Sequence, residues 1–350
     1  MPTGSDCADD TLVFSVVIPA LNEEVSIRRC LDSLSQQRFP ANSFEVIVVD
    51  NGSSDRTVEI AESYKGALHM TVLVVANVHI SALRNAGATA SRGKILAFLD
   101  ADMVVPAGWL MEAEKIFQHS VATVVGGPFS VPEGSSWVAR GWFGRSRPKA
   151  TASPSYIPSG NLMVTRSDFF RVGGFDESLQ TSEDCDFCCR ARELGLKMSE
   201  CAAISVVHLG SPQTVSAFFR REMWHGTSVL RVFLRNFPTL QNSKPIFFTI
   251  YTLFCLVMTI VMAAGGALAG KLWLVLAPLG MLLAVPAALA WRTARRGAGL
   301  DFPGLFVLLF FYGIARAISV VGLAGLRRGR DLRPGQCLKT QPTTMWTRGE

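Results

Sequence analysis

Ala97-Phe98-Leu99-Asp100-Ala101-Asp102 sets two carboxylates one residue apart at the end of an apolar run. Such a pair can chelate one hard divalent cation, because Mg2+ and Mn2+ take oxygen ligands and share them with substrate phosphates. Alone, Asp-x-Asp is equally a solvated turn at a strand end. A second acidic cluster, Ser182-Glu183-Asp184-Cys185-Asp186, precedes Phe187 and Arg190. At a helix start these acids complement the helix dipole. In a cleft, one carboxylate removes a proton from an attacking hydroxyl. A third set, Pro158-Ser159-Gly160-Asn161 followed by Gly173-Gly174-Phe175-Asp176, offers glycines either for close backbone approach to a ligand or for plain turns.

The elements that must position these groups follow from periodicity. Residues 12–19 form a β-branched run with the character of a buried parallel strand, as do 44–49, ending in Asp50, and 95–99, ending in Asp100. Residues 70–75 read as another strand. Helical spacing runs over 24–34, through Val25, Ile27, Leu31 and Leu34, and over the Ala-rich 81–91. Asp55 is placed to cap a helix starting near Thr57. Alternating strands and helices predict an α/β fold with a mostly parallel sheet and right-handed crossovers. Ligands gather at the carboxyl ends of such strands, where Glu23, Asp50 and the Asp100/Asp102 pair fall. Residues 126–155 read as a long loop carrying Arg140, Arg145, Arg147 and Lys149, either a binding loop or a solvated one. Over 215–237, Phe219, Met223, Leu230, Phe233 and Phe237 share one helical face, while Arg220, Arg221, Arg231 and Arg235 point elsewhere. That pattern suits a helix lying on a membrane surface or one packed on the sheet.

The 350 residues divide in two. Residues 1–240 carry charges and turn residues throughout. Residues 246–270 and 272–291 carry no charge, and 304–326 carry only Arg316. A bilayer core needs about 20 apolar residues in a helix, so the first two stretches are expected spans, and the third crosses if Arg316 is accommodated. Residues 1–10 hold three Asp and no Lys or Arg, unlike a signal peptide, so the N-terminal domain is expected in the cytoplasm. Basic clusters at Arg292, Arg295 and Arg296 and at Arg327, Arg328 and Arg330 also favour the cytoplasmic side. Both cannot lie there if the third stretch crosses fully. The net charge of +6 suits an anionic membrane surface, and no nucleic-acid-reading motif is present. Among eight cysteines, Cys185, Cys188 and Cys189 lie close together without zinc-like spacing, as expected of reduced thiols.

Taken in order, several pieces carry a resemblance: Val-Val-Ile-Pro-Ala-Leu-Asn-Glu-Glu (16–24), Val-Ile-Val-Val-Asp-Asn-Gly-Ser-Ser-Asp-Arg-Thr (46–57), Ala-Leu-Arg-Asn-Ala-Gly (82–87), Phe-Leu-Asp-Ala-Asp (98–102), Gly-Gly-Phe-Asp-Glu (173–177) and Ser-Glu-Asp (182–184). Over roughly 12–210 the chain resembles the family 2 glycosyltransferases, with their GT-A-like, Rossmann-like nucleotide-diphospho-sugar transferase fold. The resemblance implies a nucleotide-sugar donor, with UDP the family-level expectation, and a divalent cation, Mg2+ or Mn2+. It implies that Pro19, Ala20, Asn22, Glu23, Asp50, Ser53, Asp100 and Ala101 bind the nucleotide and that Arg84 faces the diphosphate. Asp102 would be the principal metal ligand, with Asp100 nearer the ribose and His208 beside the metal or diphosphate. Gly160 and Asn161 would meet donor or acceptor sugar. Asp184, with Glu183 beside it, would be the base of an inverting displacement.

The expected organisation is a disordered 1–11, a catalytic domain over 12–212, an amphipathic region over 213–240, a membrane region over 246–326 and a basic tail over 327–350. Membrane synthases that extrude polysaccharide carry Gln-x-x-Arg-Trp. The nearest segment here, Arg220-Arg221-Glu222-Met223-Trp224, does not match. That favours transfer of one sugar to a lipid such as polyprenyl phosphate, or to a lipid-linked glycan, over processive synthesis. A nucleotidyltransferase would need a Gly-rich basic loop after the first strand, and a dehydrogenase Gly-x-Gly-x-x-Gly there; residues 19–23 hold neither. A catalytically silent nucleotide-binding scaffold is the non-enzyme alternative.

Overall fold

A computed structural model describes residues 12–143, 154–235, 244–295 and 301–325. The expectations for 1–11 and 327–350, and for Arg145, Arg147, Lys149, Phe237 and Arg296, lie outside the described residues.

The N-terminal half alternates as expected: β1 (Phe14–Ala20), α1 (Ile27–Ser35), β2 (Phe44–Asp50), α2 (Thr57–Glu62), β3 (Met70–Val74), α3 (Ile80–Ala90) and β4 (Ile95–Leu99). β1, β2 and β4 are buried along their whole length. That is what unbroken apolar runs achieve in a sheet covered on both faces. Next come β5 (Met103–Val104), α4 (Trp109–His119), β6 (Val124–Gly126), β7 (Phe129–Ser130), α5 (Trp137–Phe143), β8 (Asn161–Thr165), α6 (Arg166–Val172), α7 (Glu183–Glu193), β9 (Met198–Glu200) and β10 (Val206–His208). Then follow α8 (Val215–His225), α9 (Val229–Arg235), α10 (Lys244–Leu268), α11 (Leu276–Ala294) and α12 (Phe302–Gly325).

The main sheet has seven strands in the order β3-β2-β1-β4-β8-β6-β9. It is parallel except for β8, which runs against both β4 and β6. Because β8 is reversed, its first residue, Asn161, sits opposite Leu99, the last of β4. The segment leading into β8 therefore reaches the same sheet edge as the carboxyl ends of β1, β2 and β4. A small second sheet, β5-β10-β7, pairs His208 with Met103. Apolar layers cover both faces of the main sheet: one contains Ile18, Leu31 and Trp109, the other Phe98, Phe169 and Phe187.

Two sequence expectations change. The stretch 126–155 is not one long loop, since it contains β7 and α5. Val138 and Trp142 of α5 pack with Phe218 of α8 and Leu308 of α12; partners so distant in sequence leave no local periodic signal. The stretch 215–237 is not one helix either. It breaks between α8 and α9 around Gly226, whose missing side chain admits Ser319 of α12: a Cβ there would lie 2.5 Å from the Ser319 Oγ. The arginines of this stretch also do not simply face away. Arg231 donates to the Ser178 carbonyl at 3.0 Å and Arg235 pairs with Asp176, tying α9 back onto the α/β domain.

Three stretches are long and apolar enough to cross a membrane: Lys244–Leu268, Leu272–Ala294 and Phe302–Gly322. Arg316, the charge inside the third, bonds the buried Glu222 of α8 at 2.7 Å and lies 5.0 Å from the Tyr312 ring. A buried charge is tolerated when so paired.

Candidate active site

The loops after β1 and β2 are laced together. The Asn22 side-chain oxygen accepts from the Ser54 N–H at 2.9 Å, its own N–H donates to the Ser53 hydroxyl at 2.8 Å, and the Glu23 N–H donates to Thr57 Oγ1 at 2.7 Å. Asn22 holds a left-handed φ of 56°, and asparagine is among the few side chains that tolerate this region. Asp50 is 1% exposed, and its carboxylate accepts from the Gly52 and Ser53 N–H groups at 2.9 and 2.8 Å. Pro19, Ala20 and Asp50 are thus buried beneath a rim on which Asn22, Glu23 and Ser53 are partly accessible. Glu23 is pushed up to about 7, first by burial and then by the charges of Asp102, Asp100 and Asp55, against a hydrogen bond from Ser26. Three acids therefore share one field around Glu23.

Asp100 and Asp102 follow β4 directly. Each carboxylate lies against a glycine: a Cβ on Gly160 would come within 2.5 Å of Asp100 Oδ2, and one on Gly210 within 2.0 Å of Asp102 Oδ2. The β5–β10 pairing carries His208 to this point, with Nε2 3.0 Å from Asp102 Oδ2 and Nδ1 3.0 Å from the Ser211 hydroxyl. Burial pushes Asp102 up. His208 and Arg221 outweigh it and leave the carboxyl below the usual carboxylate range. Ala101, between the two acids, is buried and serves the core. Among the described residues no three His, Cys, Asp or Glu side chains converge as a ready-made metal cage. Hard oxygens kept clear by two glycines fit the other kind of site, in which one or two carboxylates share Mg2+ or Mn2+ with substrate phosphates.

The second acidic cluster opens α7, after Ser182 at a left-handed φ of 65°. Arg84 of α3 joins it to the first: Nη2 lies 2.6 Å from Asp100 Oδ1 and Nη1 2.8 Å from Glu183 Oε1. Asp184, beside Glu183, accepts from the Cys185 N–H at 2.7 Å and the Ser159 N–H at 3.4 Å. It is pushed up to about 7, first by burial and then by Glu183, against Arg84 and the two N–H groups. The Ser159 hydroxyl donates to Glu183 Oε1 at 2.9 Å, so the segment before β8 supports both acids.

The geometry corrects some expected roles. Arg84 is 1% exposed and committed to two carboxylates, so it braces the cleft rather than facing a diphosphate. Asn161 is fully buried: it donates to the Gly127 and Ile204 carbonyls at 3.2 and 2.8 Å and accepts from Trp109 Nε1 at 3.2 Å. It pins strands together and does not reach a sugar, whereas Gly160 stays beside Asp100. Gly173-Gly174-Phe175 is turn chemistry: Gly174 has φ 67°, and the Phe175 backbone exchanges hydrogen bonds with the Asn85 amide at 2.9 and 2.8 Å. Sequence reasoning placed Ser159 in the Pro158–Asn161 set but gave it no role of its own, and it missed Arg221 with Phe143, which no local pattern joins to Asp102.

Residues 15–181 match the family model described as glycosyl transferase family 2. The chain is 32% identical over 196 residues to glycosyltransferase AglE of Haloferax volcanii, which covers 54% of this chain and 64% of that one. It is 32% identical over 243 residues to a pre-mycofactocin glycosyltransferase of Mycobacterium tuberculosis, 65% of this chain and 48% of the other. It thus spans about half to two thirds of these relatives' lengths. In fold it is similar to the mannosyltransferase PcManGT of Pyrobaculum calidifontis, solved with GDP-Man and Mn2+, with a TM-score of 0.59 at 18% identity over 90% of this chain and 88% of that one.

Proposed function

Through residues 15–181 the chain belongs to the family 2 glycosyltransferases, and on that premise we propose that it transfers a single sugar, with inversion, from a nucleotide-diphospho-sugar to a lipid-linked or other membrane-proximal acceptor. The observation that supports this reading is the Arg84 bridge, which ties Asp100, two residues before Asp102, to Glu183, the neighbour of Asp184. The rim of Asn22, Glu23 and Ser53 receives the nucleoside. Asp184 takes the proton of the acceptor hydroxyl as its oxygen bonds to the sugar C1. The C1–O bond to the diphosphate breaks on the opposite face and its electron pair leaves with the phosphate oxygen. Asp102, with Asp100 near, would hold Mg2+ or Mn2+, which when bound would neutralise the charge gathering on that leaving group. His208 orients Asp102 from behind, as partners of metal-binding carboxylates do.

Membrane association rests on the three apolar helices. A membrane-proximal acceptor rests on α12, whose Leu308 packs with Val138 and Phe218 and whose Arg316 pairs with Glu222 of α8. The catalytic domain is assigned to the cytoplasmic side. The decisive experiment incubates membranes containing the full chain with a panel of radiolabelled UDP- and GDP-sugars and extracts the lipids. Label should enter the lipid fraction with the wild-type chain and not with Asp184→Asn. Equal labelling by the two would remove Asp184 as base, and no transfer from any donor would favour a silent scaffold.

A further inference from the structure

We infer that Arg221, on α8, is the cation that receives the departing diphosphate. The inference rests on the function proposed above and supplies what that reading lacks, since Arg84 is committed to Asp100 and Glu183. A continuous path of contacts leads from Arg221 to the cation-binding acid. Its guanidinium lies 5.6 Å from the Phe143 ring centroid, the Phe143 ring lies 5.1 Å from that of His208, and His208 Nε2 lies 3.0 Å from Asp102 Oδ2.

The guanidinium is held in place but not used up. Its Nε donates to His225 Nε2 at 3.2 Å, whereas Nη1 is buried with no hydrogen-bond partner among the described residues. A buried donor without a partner is costly and rarely retained. A guanidinium fork matches phosphate oxygens in charge and geometry. The adjoining Glu222 is buried and paired with Arg316 of α12, which ties α8 to α12, while Arg221 lies over the Phe143 ring. Arg220, one residue away, is exposed and bonds Ser216 at 3.1 Å. The ligand chemistry is that of a nucleoside diphosphate, read at its phosphates and not at its base.

The test measures Kd for UDP and GDP, each with Mn2+, and for uridine and guanosine, on the full chain in detergent. Arg221→Gln should raise Kd for the bound diphosphate about 10- to 100-fold and leave the matching nucleoside within about twofold of wild type. Arg220→Gln should change neither. Equal diphosphate affinity in Arg221→Gln and wild type would overturn the role of Arg221 while leaving the proposed function intact. Failure of the wild-type chain to bind either diphosphate would overturn both. Should Arg221→Gln not fold, Arg221→Lys keeps the charge but loses the fork: weaker diphosphate binding with unchanged nucleoside binding supports the inference, and unchanged binding of both refutes it.

Discussion

Asp102 and Asp184 each lie close in sequence to one end of the Arg84 bridge, Asp100 and Glu183 respectively, and their surroundings push them in opposite directions. At Asp102, burial is outweighed by His208 and Arg221, and the carboxyl stays below its usual range. At Asp184, burial and Glu183 outweigh Arg84, and the carboxyl rises to about 7. The difference lies in where the cations spend their bonds: His208 bonds Asp102 directly, whereas Arg84 bonds Glu183 and Asp100 and leaves Asp184 only its distant field. Two carboxylates pushed in opposite directions on one cleft are how a fold assigns a permanently charged group and a proton acceptor. Asp102 has the surroundings of the first and Asp184 those of the second.

The sharpest way to break this contrast is to neutralise each acid and compare what is lost. Asp184→Asn should lower transfer on the order of a thousandfold, the loss expected of a removed general base, while nucleotide affinity stays near wild type. Asp102→Asn should do the reverse: cation-dependent affinity for the nucleoside diphosphate should fall on the order of a hundredfold, because a hard cation loses its principal oxygen ligand. Titration calorimetry with and without Mn2+ separates the two, and equal nucleotide affinity in both variants would erase the distinction. A smaller effect is graded by pH. With Asp184 as base, kcat should fall about tenfold for each pH unit below about 7. A kcat flat between pH 5 and pH 7 would mean that another group takes the proton.

The sequence carried one end of this contrast more fully than the other. Strands β1, β2 and β4 announce themselves as unbroken apolar runs, and each leads straight to its acidic or polar loop, so Glu23, Asp50, Asp100 and Asp102 were placed by local pattern alone. The surroundings of those acids were not legible. His208 reaches Asp102 through the two-residue β5 and its pairing with β10, and strands that short leave no periodic signal. Arg84 looked like a phosphate ligand because its motif says only that an arginine belongs there; that two carboxylates from separate elements enclose it is a tertiary fact. Helical spacing places Arg221 away from the apolar face, and its contact with the Phe143 ring is a tertiary fact that the spacing does not carry.

The smallest effect is on stability, and it separates the two ends by sign. The pKa of Asp184 is raised from an ordinary 3.8 to about 7, so between those values the native state holds a proton that the unfolded chain has lost. Stability then falls as pH rises through that window, and above about pH 7 the fold carries the full cost of an ionised buried carboxyl. Asp184→Asn removes that cost and should raise the midpoint of thermal unfolding at pH 8 by more than at pH 4. Asp102 is lowered in the folded chain, so its charged form adds stability above the ordinary carboxylate pKa, and this is lost as pH falls through its folded value. In cation-free buffer at pH 8, Asp102→Asn should therefore lower the midpoint, each kcal/mol amounting to roughly 2–4 °C in a chain of this kind. Midpoints that move in the same direction for both variants at pH 8 would mean that the surroundings do not divide the two carboxylates as their contacts indicate.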